Sequence, residues 1–353
     1  MKSLNVIALQ SWLKNNLGNE DALSVQKISG GQSNPTWFVN WGAQRLVLRK
    51  KPEGQLIRGA HAIDREYRIQ SAIYGSPVPV PEVLLYEENE AVLGSAFYIM
   101  KRLEGRVFED CSLHAAEKHD RKEMYLDVAR TLAKLHNLDP LKLGLSNFGR
   151  HTEYYYRQFQ RWSSQYGQSN GPKIRQLDAV IRWISENIPS EDGLLSLAHG
   201  DFRIGNMLFH PTEPKVIGVL DWELSTLGHP LADLAFCIIP WFSSKTEYGG
   251  LLDTDWKVSG IPEHEIFIDE YIAHSNHKSR LTTFHLVFAF FRFSVIFRGI
   301  EDRAREGNAA SDEAHELGVL ASRFAARALN LIETDPFKRI LGEGDEKPYI
   351  LSA

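Results

Sequence analysis

Residues 197–223 read LAHGDFRIGNMLFHPTEPKVIGVLDWE. Asp201 and Asn206 stand five positions apart in a loop between apolar segments, and His199 precedes Asp201 by two. Asp221 closes the apolar run VIGVL. A carboxylate and an amide oxygen at this spacing can converge on one point. Asp201 can then orient and deprotonate a hydroxyl, while Asn206 and Asp221 offer the hard oxygen atoms that Mg²⁺ prefers. An isolated Asp or Asn in such a loop would be read as a turn cap. The whole set at this spacing favours chemistry.

Working outward, the same chemistry makes demands that the rest of the chain answers. H-x-D-x-x-x-x-N followed by a metal-binding Asp is the arrangement of protein kinases, with DWE standing where DFG would be. Phosphates need a pliant loop between the first two strands, and SGGQSNPTW lies there. Gly30 and Gly31 allow close backbone approach, and Ser33 and Asn34 supply donors. No G-x-x-x-x-G-K-[ST] occurs, so a P-loop fold is disfavoured. In LVLRKK, Arg49 takes the place of the strand cation that meets the α- and β-phosphates, with Lys50 as the alternative on the opposite face. The helical stretch HAIDREYRIQSAI puts Glu66 17 residues beyond Arg49, where a carboxylate partner for that cation belongs. In FYIMKRLEG, backbone groups from Lys101 to Leu103 can meet the edge of an adenine, and Met100 can line its pocket.

The wider pattern fixes the fold class. Val6–Leu17 has helical spacing closed by Gly18; LSVQKIS, TWFVNW, QRLVLRKK and SAFYIMKRLEG read as strands, with a helix from Ala60 to Tyr74 among them. After Gly105 long helical patterns take over: EMYLDVARTLAKLHNL, Glu153–Tyr166, Ile174–Ile188, Glu263–Ala273, Leu281–Arg298 and Asp312–Thr334. An antiparallel sheet followed by helices predicts α+β, with an N-terminal lobe over 1–102 and a helical lobe over 103–353. A net charge of −5 argues against a general grip on nucleic acid. Two distant cysteines, Cys111 and Cys237, form neither metal spacing nor a disulfide framework and fit a reducing, cytoplasmic setting. The polar start and the absence of 18 uninterrupted apolar residues predict neither signal peptide nor membrane span.

Taken together, HGDFRIGNMLF, VIGVLDWELSTLGHPLADLA and ISGGQSNPTWF resemble the aminoglycoside phosphotransferase-like kinases, which include choline and homoserine-type kinases. The nearest branch is that of kinase-like domains associated with acyl-CoA dehydrogenases. The resemblance implies a bilobal protein-kinase-like fold and Mg-ATP-dependent transfer of the γ-phosphoryl group to a small-molecule hydroxyl. By motif position it makes Asp201 the catalytic base and Asn206 and Asp221 the Mg²⁺ ligands. Arg49 with Glu66 becomes the phosphate-anchoring pair, and His199 and Asp233 brace the catalytic loop. Arg49 replaces the usual Lys of the superfamily, although choline-kinase-like members also use Arg, and its fork suits phosphate. Nothing after Asp221 resembles an activation segment ending in A-P-E, which argues against a protein acceptor. The branch points to a hydroxyacyl-CoA or hydroxy acid; an aminoglycoside or choline-type acceptor, or a nucleotide-binding pseudokinase, are the alternatives. Arg292 and Arg298, six apart in the apolar stretch FFRFSVIFRGIEDRAREG, each need an anionic partner, and a substrate carboxylate or phosphate is one.

Overall fold

Period-two alternation builds the N-terminal sheet. The computed structural model describes residues 4–18, 22–28, 34–52, 62–305 and 314–337. In it the chain divides into two units. The first is Met1–Val107 with Leu141–Ser146 and Asn206–Ser225; the second is Phe108–Pro140, Asn147–Gly205 and Thr226–Ala353.

Unit 1 runs α1 (Val6–Leu17), β1 (Leu23–Lys27), β2 (Thr36–Trp41), β3 (Gln44–Lys50), α2 (Ile63–Ile73), β4 (Val83–Glu87), α3 (Glu90–Leu93) and β5 (Phe97–Lys101). The five strands form one sheet in the order β1-β2-β3-β5-β4, with antiparallel neighbours throughout. Register pairs Phe38 with Val47, Val47 with Met100, and Arg49 with Tyr98. Strand alternation therefore puts these five on one face. The other face carries Trp37, Val39, Trp41, Leu46, Leu48, Phe97 and Ile99, which pack with Leu9, Trp12 and Leu13 of α1 into a continuous core. Asn5 caps α1 by accepting from the Ala8 amide, and Gly18 ends it at φ +94°. Burying those side chains, at about 1.5–3 kcal/mol each, holds α1 against the sheet.

A hairpin of β7 (Met207–Phe209) and β8 (Val216–Val219) completes unit 1. A cut expected at residue 102 leaves this hairpin with the helices. Its backbone bonds explain the different division: Arg106 and Phe209 exchange hydrogen bonds at 2.8 and 2.9 Å, and Val219 N donates to Pro79 O at 2.8 Å.

Unit 2 contains α4 (Lys118–His136), α5 (Tyr154–Gly167), α6 (Arg175–Asn187), β6 (Ser196–Ala198), β9 (Thr226–Gly228), α7 (Pro230–Cys237), α8 (Trp256–Ser259), α9 (His264–His274), α10 (Thr283–Arg305) and α11 (Ala314–Thr334). Strands β6 and β9 pair antiparallel. Helix α7 escapes a periodicity reading because every residue from Pro230 to Cys237 is buried, so it has no polar face to mark the turn. By length and composition α10 is apolar enough to cross a membrane, yet 89% of its most apolar window is buried inside the protein. Its phenylalanines fill the helical core instead.

Candidate active site

In unit 1, Arg49 leaves β3 on the sheet face defined above and meets two carboxylates. One Nη lies 2.9 Å from Glu66 Oε1 on α2 and 3.1 Å from Asp221 Oδ1. Glu66 is fully buried, and its other oxygen accepts from the Tyr98 hydroxyl at 3.2 Å. Gln70, one turn along α2, donates to Tyr98 Oη at 2.9 Å and so fixes that phenol. Burial, with the nearby charge of Asp221, pushes the Glu66 carboxyl up to about 7 against the pull of Arg49. Burial alone would lower the Arg49 guanidinium. Glu66, Tyr98 and Asp221 outweigh it, so the group stays above the ordinary arginine range and always charged. Alternation along β3 sends Lys50 to the opposite face, so the cation beside Glu66 is Arg49.

The β7–β8 hairpin sets the next groups. Met207 faces Val219, and Leu220 N donates to Asn206 O at 2.9 Å, which places Asn206 and Asp221 at the same hairpin end. Asp221 adopts φ +65°, ψ +63°, a left-handed conformation that costs a non-glycine residue of order 1–3 kcal/mol. Trp222 secures it: the indole is fully buried and donates to Val219 O at 3.0 Å, while Ser225 Oγ donates to Trp222 O at 2.6 Å. Arg65 then ties α2 to this turn by donating to Ser225 O at 3.1 Å. One carboxylate oxygen each from Glu66, Asp221 and Glu223 falls within 4.8 Å of the others. Glu223 therefore joins Asp221 as a possible hard-cation ligand, a role the sequence reading reserved for Asn206 and Asp221.

Of the loop residues, Gly30, Gly31 and Ser33 lie outside the described residues. Asn34 is buried, and its side-chain amide lies beside the Glu66 carboxyl, where it favours the charged form. Met100 is buried in a cluster with Val47, Ile63, Ala96 and Tyr98, against which Phe38 packs. The Lys101 ammonium turns outward to Glu82 at 2.6 Å, leaving only its backbone for a ligand. Leu103 contributes backbone and a side chain that lies against Gly218.

In unit 2 the segment His199–Arg203 is held from three directions. Asp233, buried on α7, accepts from His199 N at 2.6 Å and Gly200 N at 2.9 Å. Burial pushes the Asp233 carboxyl up, but contacts from His136, at 3.5 Å, and from His199 outweigh this and hold it below its usual range. His199 Nδ1 accepts from Asp201 N at 3.2 Å, and Arg292 donates to Gly200 O at 2.7 Å. Gly200, at φ +83°, needs its missing side chain for this turn. The result presents the Asp201 carboxylate 24% exposed, with Arg203 Nε 3.3 Å away. Arg203 was not singled out in the sequence, although its position two after Asp201 could have flagged it. Tyr98 was legible only through register, being opposite Arg49.

Arg292 and Arg298 separate clearly. Arg298 has its counter-charges inside the protein: Glu301 at 2.8 Å and Asp302 at 3.3 Å, with Ser169 Oγ accepting from Nε at 2.7 Å. Its expected need for an anionic substrate is thereby removed. Among the described residues Arg292 has only the Gly200 carbonyl and the rings of Trp162 and Phe236, at 5.6 and 5.5 Å.

A family described as "Phosphotransferase enzyme family" matches residues 24–260. The chicken (Gallus gallus) protein named acyl-CoA dehydrogenase family member 11 is 39% identical over 326 residues, covering 90% of this chain and 42% of the relative. The chain thus spans about two-fifths of the length of such curated relatives. A crystal structure from Ralstonia eutropha JMP134, presented as a candidate aminoglycoside phosphotransferase, matches with TM-score 0.85 and 35% identity, covering 94% of this chain and 99% of the other. A ternary complex of aminoglycoside phosphotransferase APH(4)-Ia with AMP-PNP and hygromycin B shares the fold at TM-score 0.60 and 16% identity, covering 91% and 98%. An antiparallel five-stranded sheet, a helix-borne buried glutamate on a strand arginine, and an HGD loop braced by a buried aspartate sit within the span of that match: this chain belongs to the phosphotransferase enzyme family.

Proposed function

We propose that this chain is a Mg-ATP-dependent kinase that phosphorylates the hydroxyl of a small molecule, with a hydroxy acid or its acyl-CoA thioester as acceptor. The observation that carries the reading is the sharing of Arg49 between a fully buried Glu66 and a strained Asp221. One guanidinium among three carboxylate groups is left with negative charge in excess, which suits a hard cation. Among the described residues the Nε of Arg49 is buried without a hydrogen-bond partner, which suits a phosphate oxygen beside it. Asp221, Asn206 and Glu223 would hold Mg²⁺, which when bound neutralises charge on the phosphate oxygens. Arg49, kept in place by Glu66, would hold the α- and β-phosphates, and the Lys101–Leu103 backbone would meet the base.

Asp201 would orient the acceptor hydroxyl and take its proton as the new oxygen–phosphorus bond forms. The bond from the γ-phosphorus to the β–γ bridging oxygen breaks, and ADP leaves with that electron pair. Asp233, His199 and Arg292 fix the loop, so Asp201 reaches this geometry without reorganising. Every charged position of the motif is filled, which favours an active enzyme over a nucleotide-binding pseudokinase. The acyl-CoA dehydrogenase names of the curated relatives support an acyl acceptor over an aminoglycoside. Two free thiols suit a cytoplasmic protein, and a net charge of −5 suits small-molecule rather than nucleic-acid partners.

The test is ATP consumption by purified protein with Mg²⁺ against 3- and 4-hydroxyacyl-CoAs, their free acids, choline, homoserine and kanamycin. Turnover with an acyl acceptor, absent in Asp201→Asn, is the expected result. Turnover with kanamycin or choline alone would overturn the acceptor assignment, and a fully active Asp201→Asn would overturn the base.

A further inference from the structure

In unit 2, two guanidinium groups share one indole. The Cζ atoms of Arg161 and Arg292 lie 5.2 and 5.6 Å from the Trp162 ring centroid. Among the described residues no carboxylate lies within 4 Å of either, unlike Arg298 with its two acids. Only Tyr154 counters the burial and mutual repulsion that hold the Arg161 guanidinium below its usual range. Arg292 and Trp162 are 6% and 7% exposed, and the Nε of the first and the Nε1 of the second are buried with no hydrogen-bond partner among the described residues. Tyr154 lies among Arg157, Arg161 and Arg292, with the Asp233 carboxylate, already engaged by His199 and Gly200, also near it. Its ring presses on Gly228, where a Cβ would come within 2.7 Å of Tyr154 Cε2 and 3.1 Å of Ala198 Cβ. Arg161 itself is exposed, so the cluster reaches solvent.

Unmatched buried donors are costly, and the buried Arg292 charge with no acid beside it adds to that cost. An oxyanion lowers both at once. The cluster also adjoins the catalytic loop, because the Arg292 guanidinium that lacks an acid is the one bonded to Gly200 O, next to Asp201.

We infer that Arg161, Arg292, the Trp162 N–H and the Tyr154 hydroxyl form a subsite for an oxyanion carried by the hydroxylated acceptor. The inference rests on the acceptor-side reading above and names the group that the acceptor must carry. A cationic acceptor such as an aminoglycoside or choline is repelled by the same pair. The oxyanion is either the carboxylate of a free hydroxy acid or a phosphate of a thioester carrier, and these sources are separable.

The experiment is calorimetric binding, without nucleotide, of 4-hydroxybutyrate, 4-hydroxybutyryl-CoA and the uncharged 1,4-butanediol. The proteins are wild type, Arg161→Gln and Trp162→Phe, the last keeping the ring while removing the N–H. Mg-ATP affinity and thermal midpoint serve as folding controls. At least one anionic compound binds the wild type, the diol does not, and one or both variants lose about tenfold or more. Loss confined to the free acid identifies the carboxylate as source, and loss confined to the thioester identifies the carrier phosphate. If neither anion binds the wild type, or both folded variants bind as the wild type does, the subsite is refuted. Because no turnover is read, an inactive kinase that still binds the acid would fail the proposed function and keep the subsite.

Discussion

Replacing Glu66 by Gln isolates the charge at the centre of the unit 1 site while keeping its shape. Burial and the nearby Asp221 raise the wild-type carboxyl from 4.5 to about 7. The folded chain therefore holds a proton that the unfolded chain has lost between these values. The contribution to stability is fully present below about 4.5 and is lost as pH rises through about 7. A gap of 7 less 4.5 is 2.5 units, and at 1.36 kcal/mol per unit this is about 3 kcal/mol. Full burial of Glu66 means that solvent screening does not discount it. The amide introduced by Glu66→Gln has no proton to exchange. The unfolding free energy of this variant relative to wild type should therefore shift in the variant's favour by roughly 3 kcal/mol between about pH 4.5 and about pH 8. Urea denaturation at matched ionic strength, followed by tryptophan fluorescence, reads it, since Trp12, Trp37 and Trp41 all lie in the core behind the sheet. The difference between the two proteins cancels the other titrating groups. A difference that stays flat with pH, or that moves against the variant, would mean that Arg49 holds Glu66 ionised, and the account of the site would be wrong.

Three further outcomes follow from the same geometry. Asp201→Asn should keep Mg-ATP affinity within about twofold while lowering kcat by about 10²–10⁴, the usual worth of a positioned base; steady-state kinetics with nucleotide binding measured alongside would expose a binding effect. Asp221→Ala should weaken Mg-ATP binding itself by about tenfold or more, roughly 1.4 kcal/mol, and unchanged affinity in a nucleotide titration would contradict the metal assignment. Gly105→Ala drives a Cβ to 2.4 Å from Phe209 O and 2.8 Å from Leu208 Cγ, both beside the β7–β8 hairpin. Overpacking of this kind costs about 1–3 kcal/mol, so the thermal midpoint should fall by several degrees, and an unshifted midpoint would show that the hairpin yields freely.

Much of unit 1 could be read from the chain because local rules govern it. TWFVNW alternates and is β2 over the same residues, Val6–Leu17 is α1 with Gly18 closing it, and Arg49 and Glu66 meet at the spacing of 17 that the strand-to-helix step predicts. What escaped depends on non-local pairing. Tyr98 acquires its role because β5 lies antiparallel to β3, which no window of sequence reveals. Glu223 joins the carboxylates because Asp221 takes a left-handed backbone and Trp222 anchors the turn between them. Nothing in the sequence around Arg161 sets it apart from other charged residues of its helix. Its meaning comes from Arg292, 131 positions later, packing on the same indole.

The treatment of charge separates structural from functional groups in this protein. Several cations that stabilise the fold are matched by acids, while others, such as Arg121, are held by backbone carbonyls. Arg130 has Glu270 at 2.8 Å together with Glu123 and Asp127, Arg298 has Glu301 and Asp302, and Arg327 has Glu247 at 2.9 Å. Among the described residues, two clusters are unbalanced in opposite directions. In unit 1 one guanidinium serves the Glu66 and Asp221 carboxylates with Glu223 close by, leaving an excess of negative charge. In unit 2 Arg161 and Arg292 lean on one ring with no carboxylate within 4 Å among the described residues, leaving an excess of positive charge. Folding has no use for either imbalance, because Glu66 and Arg292 are buried and buried charge without a matched partner destabilises. On the proposed function, ligands of opposite sign would resolve both: a divalent cation at the first and an anionic acceptor at the second. A kinase for a cationic acceptor would need the second excess reversed, and that is why binding of a hydroxy acid to Arg161→Gln, rather than any property of the nucleotide site, decides the class of the acceptor.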